Sequence, residues 1–551
     1  MSTINNNRRQ FLQHSALGVA TVAFPGLLLA KAGQIKSVPT RGFKADIEIE
    51  ITARQGFIPI LKSGPNTRVQ KYYSKLLKGP KGTLQTLKDN YLGPIINYET
   101  GQKVRIYFYN ELSEPSIIHW HGLHVPQKSD GHPMYSIMPG ERFVYEFEVM
   151  NRAGTSFYHS HSHELTAEQV YQGLAGLITV TDEEEKKLDL PSGEYDLPLV
   201  IQDRTFNNRN QLQYLQGMHG RMTGFLGETI LINGKPNTEF SVKSRAYRFR
   251  ALNGSNSRIY KLAWDDGTPL IAIGTDGGLL EKPESKPYIM LAPGERVDLW
   301  LDFSGRPVGS KLVMYSLPFT GTMPPMYQKM QQGKVGMRGG MMGGGMGKKG
   351  GMGMMGGGLA QGAKFPIATF KVTEKVSDSP KLPSRLVNFQ RLSEADVDNA
   401  KNPLPIAISM KPMAPQLNGK SFSMDRVLDF EKVPLGSIKK IKIFHSHGMN
   451  KGGMMGGGMG GGMMMSMAHP IHLHGQQYQI ISRKMEGMRK DDYATVKDGF
   501  INSGWKDTVL VMPGEEIEII KPFQDFKGLF LYHCHNLEHE DLGMMRQFYV
   551  Y

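Results

Sequence analysis

Short segments in which hydrophobic and polar residues alternate recur along the chain. Residues 103–109 (Lys-Val-Arg-Ile-Tyr-Phe-Tyr) and 143–149 (Phe-Val-Tyr-Glu-Phe-Glu-Val) are partly alternating and rich in aromatic and β-branched side chains. Such a pattern is typical of half-buried β-strands. Long stretches with helical periodicity are scarce. We therefore expect an all-β protein.

One turn motif recurs three times and divides the chain. The tripeptide Pro-Gly-Glu begins at Pro139, Pro293 and Pro513, and each copy opens a predicted strand. Asn-Gly turns at Asn233 and Asn418 lie near the start of the second and third copies. A threefold repeat is the simplest account, and short strands between regular turns predict three β-sandwich domains in series.

The length and composition agree with several soluble domains. A chain of 551 residues is too long for one compact core. We place the three domains at residues 33–182, 183–378 and 379–551. With 40% hydrophobic and 21% charged residues, the composition excludes a membrane bundle and a disordered chain.

The N-terminus is similar to a twin-arginine signal peptide, which we place at residues 1–32. Arg8-Arg9 precedes Phe11-Leu12, a mildly apolar stretch follows, and Ala30-Lys31-Ala32 offers a cleavage site. The apolar stretch is shorter than the roughly 20 residues of a spanning helix, and Pro25 interrupts it, so we expect no stable membrane insertion. The resemblance implies export to the periplasm by the twin-arginine machinery, usually as a folded protein with its cofactor in place.

The net charge of +14 could favour nucleic acid or anionic components of the cell envelope. The sequence shows no basic helix, aromatic-interleaved RNA motif or helix-turn-helix pattern. We therefore interpret the charge as a solvated surface and expect no nucleic-acid partner.

Two segments made largely of Gly and Met interrupt the β pattern. Residues 323–355 contain ten methionines and residues 449–467 contain eight, together 18 of the 34 in the chain. Such composition cannot bury a core, which predicts loops inserted in the second domain (323–358) and in the third (449–467). A low-complexity linker is the plain alternative. Because linkers normally combine Gly with Ser, and thioethers suit Cu(I), we favour metal capture.

Histidines cluster in four short motifs. On a strand, alternate residues share a face, so each His-x-His pair can present two imidazoles to one side. Four such motifs, one with a central cysteine, indicate metal binding rather than ordinary polar positions. The motifs are His119-Trp120-His121, His159-Ser160-His161, His469-Pro470-Ile471-His472-Leu473-His474 and His533-Cys534-His535.

Cys534 is the only cysteine, which excludes an internal disulfide. Two imidazoles, a thiolate and a weak axial thioether form a blue-copper site, and His469, Cys534, His539 and Met544 supply that set. His533 and His535 point to the opposite face of the strand from Cys534, which predicts a short electron path to other copper ions. The remaining eight imidazoles suit a cluster of three copper ions between the first and third domains.

Together, the four motifs resemble those of the multicopper oxidases over essentially the whole mature chain. The resemblance implies three consecutive cupredoxin-like Greek-key β-sandwich domains and four copper ions. It implies four one-electron oxidations coupled to the reduction of dioxygen to two waters. Type 1 copper would take His469, Cys534, His539 and Met544; type 2 copper would take His119 and His472; the type 3 pair would take His121, His159, His161, His474, His533 and His535.

Within this family, the export signal and Met-rich insertions are most similar to the bacterial copper efflux oxidases, or cuprous oxidases. That resemblance implies a periplasmic enzyme, here expected to be a monomer, that oxidises Cu(I) in copper tolerance and oxidises phenolic small molecules more weakly. A general laccase-type phenol oxidase shares the copper motifs. A copper-sequestering protein with incidental oxidase activity is the alternative outside the enzymes. A cell-division-type homologue that lacks copper is excluded by the intact ligands.

One departure concerns the Cu(I) substrate. Copper efflux oxidases carry an aspartate four residues before the first type 1 histidine and a methionine two residues before it. Here these positions hold Met465 and Met467, so we expect a substrate-copper site made of thioethers alone. The loop next to His469 should also cover the type 1 edge, which predicts weak activity on phenols.

Reduction of dioxygen consumes protons, and carboxylates near the cluster are expected as relays. Asp130 and Glu540 occupy positions where the family keeps such acids, and we interpret both as catalytic. Three histidines have no role in the four-copper pattern. His445 and His447 border the second Met-rich segment, and we interpret His163 as structural or as an outer neighbour of the cluster.

Overall fold

The computed structural model describes residues 37–215, 218–324, 327, 359–411, 414–445, 466–485 and 490–551. The predicted signal peptide, Met465, His447 and most of both Met-rich segments lie outside these ranges. No helix among the described residues is long and apolar enough to cross a membrane.

The first domain is a sandwich of a four-stranded sheet, in the order β2-β1-β5-β7, and a five-stranded sheet, in the order β3-β4-β9-β8-β6. Both strands predicted from alternation are confirmed, as β5 and β7. In β5, Val104, Ile106 and Phe108 are buried, which places one face of the strand in the core. The strands are β1 (Ile47–Ile58), β2 (Thr67–Lys78), β3 (Leu84–Gln85), β4 (Ile95–Glu99), β5 (Lys103–Asn110), β6 (Ile118–His121), β7 (Arg142–Glu148), β8 (Gly154–Ser160) and β9 (Ala175–Thr181).

The second domain pairs a seven-stranded sheet, β12-β11-β10-β14-β19-β16-β17, with a five-stranded sheet, β13-β21-β20-β15-β18. Its strands are β10 (Asp196–Arg204), β11 (Thr229–Ile232), β12 (Lys235–Pro236), β13 (Glu239–Lys243), β14 (Ala246–Asn253), β15 (Tyr260–Trp264), β16 (Leu270–Thr275), β17 (Gly278–Lys286), β18 (Ile289–Leu291), β19 (Arg296–Asp302), β20 (Lys311–Ser316) and β21 (Phe365–Glu374).

The third domain has two five-stranded sheets, β23-β22-β25-β29-β27 and β24-β31-β30-β26-β28. Its strands are β22 (Leu404–Lys411), β23 (Ala414–Leu417), β24 (Lys432–Val433), β25 (Ser437–His445), β26 (His469–Leu473), β27 (Gln479–Met485), β28 (Thr508–Val511), β29 (Glu515–Phe523), β30 (Gly528–Cys534) and β31 (Met545–Val550).

The same strand pairing recurs in all three domains. Each sheet contains one parallel pair: β1 with β5 and β4 with β9, β10 with β14 and β13 with β21, β22 with β25 and β24 with β31. The Pro-Gly-Glu turns also repeat, because Gly140, Gly294 and Gly514 all have φ near +80° (80°, 81° and 81°), which glycine adopts without steric cost. The prediction of an all-β chain of three consecutive sandwiches is confirmed.

Helices are few and short. The helix at Thr166–Gln172 lies in the first domain, and the Asp541 carboxylate, at the end of the helix at Leu537–Asp541, accepts hydrogen bonds from the backbone N–H groups of Thr166 (3.0 Å) and Ala167 (2.9 Å). This contact joins the first domain to the third beside the histidine motifs. The α-helices are α1 (Thr166–Gln172), α2 (Met218–Thr223), α3 (Lys490–Ala494) and α4 (Leu537–Asp541). The 3-10 helices span Lys81–Thr83, Gln127–Ser129, Pro133–Tyr135, Glu185–Lys187, Gly193–Tyr195, Glu394–Asp396, Asp429–Glu431 and Lys497–Gly499.

Candidate metal centres

Paired strands carry most of the predicted ligands. In the first domain β6 pairs with β8, so that His119 lies opposite His159. In the third domain β26 pairs with β30, so that His472 lies opposite His533. Each pairing therefore brings two histidine motifs that are distant in sequence onto neighbouring strands.

The two strand pairs face each other across the interface between the first and third domains. The rings of His119 and His474 stack with centroids 3.8 Å apart, and those of His121 and His472 stack at 3.7 Å. His533 Nε2 lies 3.1 Å from His474 Nε2 and 3.3 Å from His161 Nε2. Eight buried imidazoles gather here, as the sequence predicted: His119, His121, His159, His161, His472, His474, His533 and His535.

Hydrogen bonds select the ring nitrogen that faces the cluster. Nδ1–H donates to a backbone carbonyl in His119 (to Asp130, 2.6 Å), in His159 (to Ser160, 2.8 Å) and in His472 (to Asp507, 2.9 Å). Since a carbonyl oxygen can only accept, Nδ1 carries the proton and Nε2 is left as the ligand atom. His121 is reversed: its Nε2 lies 3.1 Å from Asp507 Oδ1, which leaves Nδ1 for the cluster.

The cluster fits a set of metal ions. Among the described residues, nothing hydrogen-bonds to Nε2 of His119, His159 or His472, although all three atoms are buried. Buried polar atoms normally have partners, and several facing imidazole nitrogens are the expected form of a copper site. Burial lowers the pKa of His159 and His161 to about 3 and that of His533 to about 4. These imidazoles are therefore neutral near pH 7, as metal ligation requires.

A second group surrounds the cysteine. His469 Nδ1 lies 3.5 Å and His539 Nδ1 lies 3.7 Å from Cys534 Sγ, and all three residues are buried. Met544 packs in the same buried cluster as Cys534. Burial raises the pKa of the Cys534 thiol. A thiolate here needs a bound cation, and two imidazoles beside it fit copper.

The outward edge of His539 is covered by the second domain. Its Nε2–H donates to the carbonyl oxygen of Met222 (3.1 Å), in helix α2. The Glu538 carboxylate holds the residues on both sides of helix α2 in place. It accepts hydrogen bonds from the Tyr214 hydroxyl (2.7 Å) and from the Phe225 N–H (3.0 Å). Sequence reasoning missed this contact and assigned the covering role to the Met-rich segment before His469, most of which lies outside the described residues.

Asp130 lies between histidines of the first and third domains. Its carbonyl oxygen accepts from His119, and its carboxylate oxygen Oδ2 lies 2.7 Å from His474 Nδ1. Burial raises the pKa of Asp130 well above its usual range, although the positive charge of Lys521 opposes the shift. The acid is thus held against two predicted ligands, and burial favours its protonated form.

Glu540 contacts two other histidines of the cluster. Its Oε2 lies 3.1 Å from His533 Nδ1, and its Oε1 lies 3.6 Å from His161 Nε2. Burial also raises the pKa of Glu540. The structure therefore places both acids singled out in the sequence in contact with the cluster.

Sequence reasoning missed a third acid, Asp507. Burial alone would raise its pKa, but the guanidinium of Arg296 holds it well below its usual range. The Asp507 carboxylate thus stays ionised and accepts from His121. No metal motif surrounds Asp507 in the sequence, and strand pairing of β26 with β28 brings it to the cluster.

Three further residues that the sequence singled out lie outside the eight-imidazole cluster. Met467 is buried two residues before His469. The ring of His445, at the end of β25, lies 5.5 Å from that of His469. His163 is partly exposed, and its ring lies 5.4 Å from that of Phe422, outside the cluster.

Three β-sandwich domains that gather eight imidazoles into one group, and two imidazoles with a thiol into another, define a copper oxidoreductase. Two multicopper oxidase domain families match residues 68–185 and 459–551. Multicopper oxidase mco of Staphylococcus aureus is 30% identical over 491 residues, 87% of this chain and 89% of that protein. The crystal structure of McoA multicopper oxidase from the hyperthermophile Aquifex aeolicus covers 92% of this chain and 97% of its own, with a TM-score of 0.72 and 30% identity. The chain belongs to the multicopper oxidase family and is a copper-dependent oxidoreductase.

A further relative carries a different name. The cell division protein FtsP of Escherichia coli (strain K12) is 33% identical over 300 residues, 54% of this chain and 60% of that protein. The cell division protein FtsP of Photorhabdus laumondii is 27% identical over 544 residues, 98% of this chain and 98% of that protein.

Proposed function

We propose that this protein is a periplasmic multicopper oxidase that oxidises Cu(I) with dioxygen and serves copper tolerance. The observation that carries the proposal is the complete, buried donor set in two adjoining groups. His469, Cys534, His539 and Met544 would hold type 1 copper, and His119 and His472 would hold type 2 copper. The type 3 pair would be held by His121, His159, His161, His474, His533 and His535. A copper store or carrier has no need of a cysteine site joined through His533 and His535 to an eight-imidazole cluster.

Four bound copper ions would supply four one-electron oxidations and the reduction of dioxygen to two waters. The chain's own residues would orient the ligands and handle protons. Asp130 contacts His119 and His474, and Glu540 contacts His533 and His161, so both acids would be placed to supply protons when dioxygen is reduced. The domain interface buries these groups away from bulk solvent.

The contact between helix α2 and His539 supports Cu(I), rather than a bulky phenol, as the reductant. His539 Nδ1 faces Cys534, so Nε2 is the outward ring atom, and the Met222 carbonyl occupies its hydrogen-bonding direction. A phenol has no free ring nitrogen to bind there. Soft thioethers such as Met467, with Met465 beside it in sequence, suit Cu(I) as a small substrate. A general laccase would need an open type 1 edge.

We also propose the cellular setting. The resemblance of residues 1–32 to a twin-arginine signal supports export to the periplasm with copper bound, and we propose that the protein is a monomer there. We propose domain limits at 33–182, 183–378 and 379–551, which are supported by strands at residues 47–181, 196–374 and 404–550.

The test is oxygen uptake by the copper-loaded protein with Cu(I) and with a phenol. Both are measured on the intact chain and on a variant in which residues 328–358 and 449–464 are replaced by short Gly-Ser linkers. We expect fast uptake with Cu(I) that the replacement abolishes, with unchanged blue absorption from type 1 copper as the control for folding. Uptake that is no better with Cu(I) than with the phenol, and that survives the replacement, would show a general laccase. Cu(I) binding without sustained uptake would show a copper store.

A further inference from the structure

Arg296, the first residue of β19 in the second domain, contacts all three domains. Its guanidinium donates to the carbonyl oxygen of Thr155 in the first domain (Nε, 3.1 Å) and to that of Asp276 in the second (Nη2, 3.0 Å). It also forms a two-point ion pair with Asp507 of the third domain, with Nη1 2.7 Å from Oδ1 and Nη2 2.5 Å from Oδ2. A further bond from Nη1 reaches the carbonyl oxygen of Gly294 (2.8 Å). The planar, five-donor fork is thus used in full, which a lysine cannot reproduce.

The partner carboxylate reaches the predicted copper ligands. Asp507 Oδ1 accepts from His121 Nε2 (3.1 Å), and the hydroxyl of Thr508 lies 3.2 Å from the same nitrogen. The carbonyl oxygen of Asp507 accepts from His472 Nδ1. One residue therefore orients one histidine of the first domain and one of the third.

Two glycines lie close to Arg296 and the cluster, one in the first domain and one in the second. A Cβ added at Gly122, directly after His121, would lie 2.5 Å from Arg296 Nη2 and 3.0 Å from Asp507 Oδ2. A Cβ added at Gly294, two residues before Arg296, would lie 2.9 Å from the ring of His535. Two glycines are thus needed where the second domain is packed against the cluster.

We infer that Arg296 is a positioning residue for the trinuclear copper site, although its domain supplies none of the proposed ligands. By holding Asp507 in one orientation, Arg296 fixes the His121 ring so that Nδ1 faces the cluster, and it fixes His472 through the Asp507 backbone. Partners behind metal-ligating histidines set ring orientation in this way. The inference rests on the proposed ligand assignment.

The test compares Arg296→Met and Arg296→Lys with the unaltered, copper-loaded protein. Copper is counted per chain, type 2 copper is measured by electron paramagnetic resonance, and the type 3 pair by its near-ultraviolet absorption. We expect Arg296→Met to weaken copper binding in the cluster by roughly 10- to 100-fold, with the blue type 1 absorption retained. Arg296→Lys keeps the positive charge but cannot form the two-point ion pair, so it should bind more cluster copper than Arg296→Met and less than the unaltered protein.

Arg250→Met is the matched control. Arg250 is also a buried arginine of the second domain that reaches the first, because its Nη1 donates to Thr155 Oγ1 (3.1 Å). Its carboxylate partners are Asp196, Asp298 and Glu185, none of which contacts a cluster histidine in the way that Asp507 does. Full cluster copper with normal spectra in Arg296→Met would overturn the inference, as would equal copper loss in Arg250→Met. A failure of the ligand assignment is distinguishable, since the unaltered protein would then bind fewer than four copper ions.

Discussion

His539 and Met222, which belong to different domains, are joined by a hydrogen bond of 3.1 Å from the imidazole Nε2 to the backbone carbonyl. The other ring nitrogen of His539 faces Cys534. The second domain therefore covers the side of His539 that faces away from Cys534, which we propose is the edge of the type 1 site.

Opening this cover should change the reductant preference. If residues 216–223 are replaced by a shorter Gly-Ser linker, His539 Nε2 becomes available to a phenol hydroxyl. We expect kcat/KM for a bulky phenol to rise about tenfold, equivalent to about 1.4 kcal/mol of transition-state binding. Steady-state oxygen uptake measures it. A small inorganic one-electron donor, which needs no hydrogen bond to the ring, serves as the control, and an equal rise for both donors would contradict the role of the cover.

The ligand motifs could be predicted because neighbouring residues on one strand carry them. His119 with His121 and His533 with His535 are separated by one residue, and the alternation of a strand implies a shared face. Met222 and Asp507 could not be predicted in this way. They act on His539 and His121 from 317 and 386 residues away along the chain, and only the packing of three domains brings them together.

Asp130→Asn and Glu540→Gln should separate proton delivery from copper binding. The amides keep the size and an acceptor oxygen, so copper content should persist, but neither can carry a proton to the oxygen atoms. We expect kcat for dioxygen reduction to fall by about 100-fold in each variant. Without oxygen, Cu(I) should still reduce type 1 copper at the unaltered rate, which is measured as the loss of the blue absorption. A slowed anaerobic step, or lost copper, would instead indicate damage to the ligands.

Lys521 is buried in the third domain, and its ammonium donates to the carbonyl oxygen of Gln476. Burial lowers the pKa of Lys521 to about 7, although the charges of Asp507 and Asp130 oppose the shift. The unfolded chain then binds more protons than the folded chain between about pH 7 and the ordinary lysine value near 10.4, so stability rises with pH in that window.

Lys521→Met should remove this dependence and stabilise the copper-free protein at pH 7. In the unaltered chain, the Lys521 effect should change the free energy of unfolding by at most about 1.4 kcal/mol per pH unit in this window. Denaturant unfolding at pH 7, 8 and 9 measures it. Lys440→Met is the control with the opposite sign: hydrogen bonds to Glu394 and Glu518 raise the pKa of Lys440, so its loss should destabilise the protein. If the free energy of unfolding depends on pH equally in Lys521→Met and in the unaltered chain, the lowered pKa of Lys521 is refuted.

Gly122→Ala tests how closely the second domain approaches the cluster. Gly122 has φ of +90°, and an added Cβ would lie 2.5 Å from Arg296 Nη2 and 2.9 Å from Ser156 Oγ. Gly101, in the same domain, also has φ of +90°, but nothing lies within 4 Å of its added Cβ. Gly101→Ala therefore measures the backbone cost alone, about 1–2 kcal/mol of unfolding free energy. We expect Gly122→Ala to cost clearly more and to deplete cluster copper while type 1 copper remains, because the guanidinium must move away from Asp507. If both variants lose the same stability and keep all their copper, the contact between Gly122 and Arg296 does not hold the site.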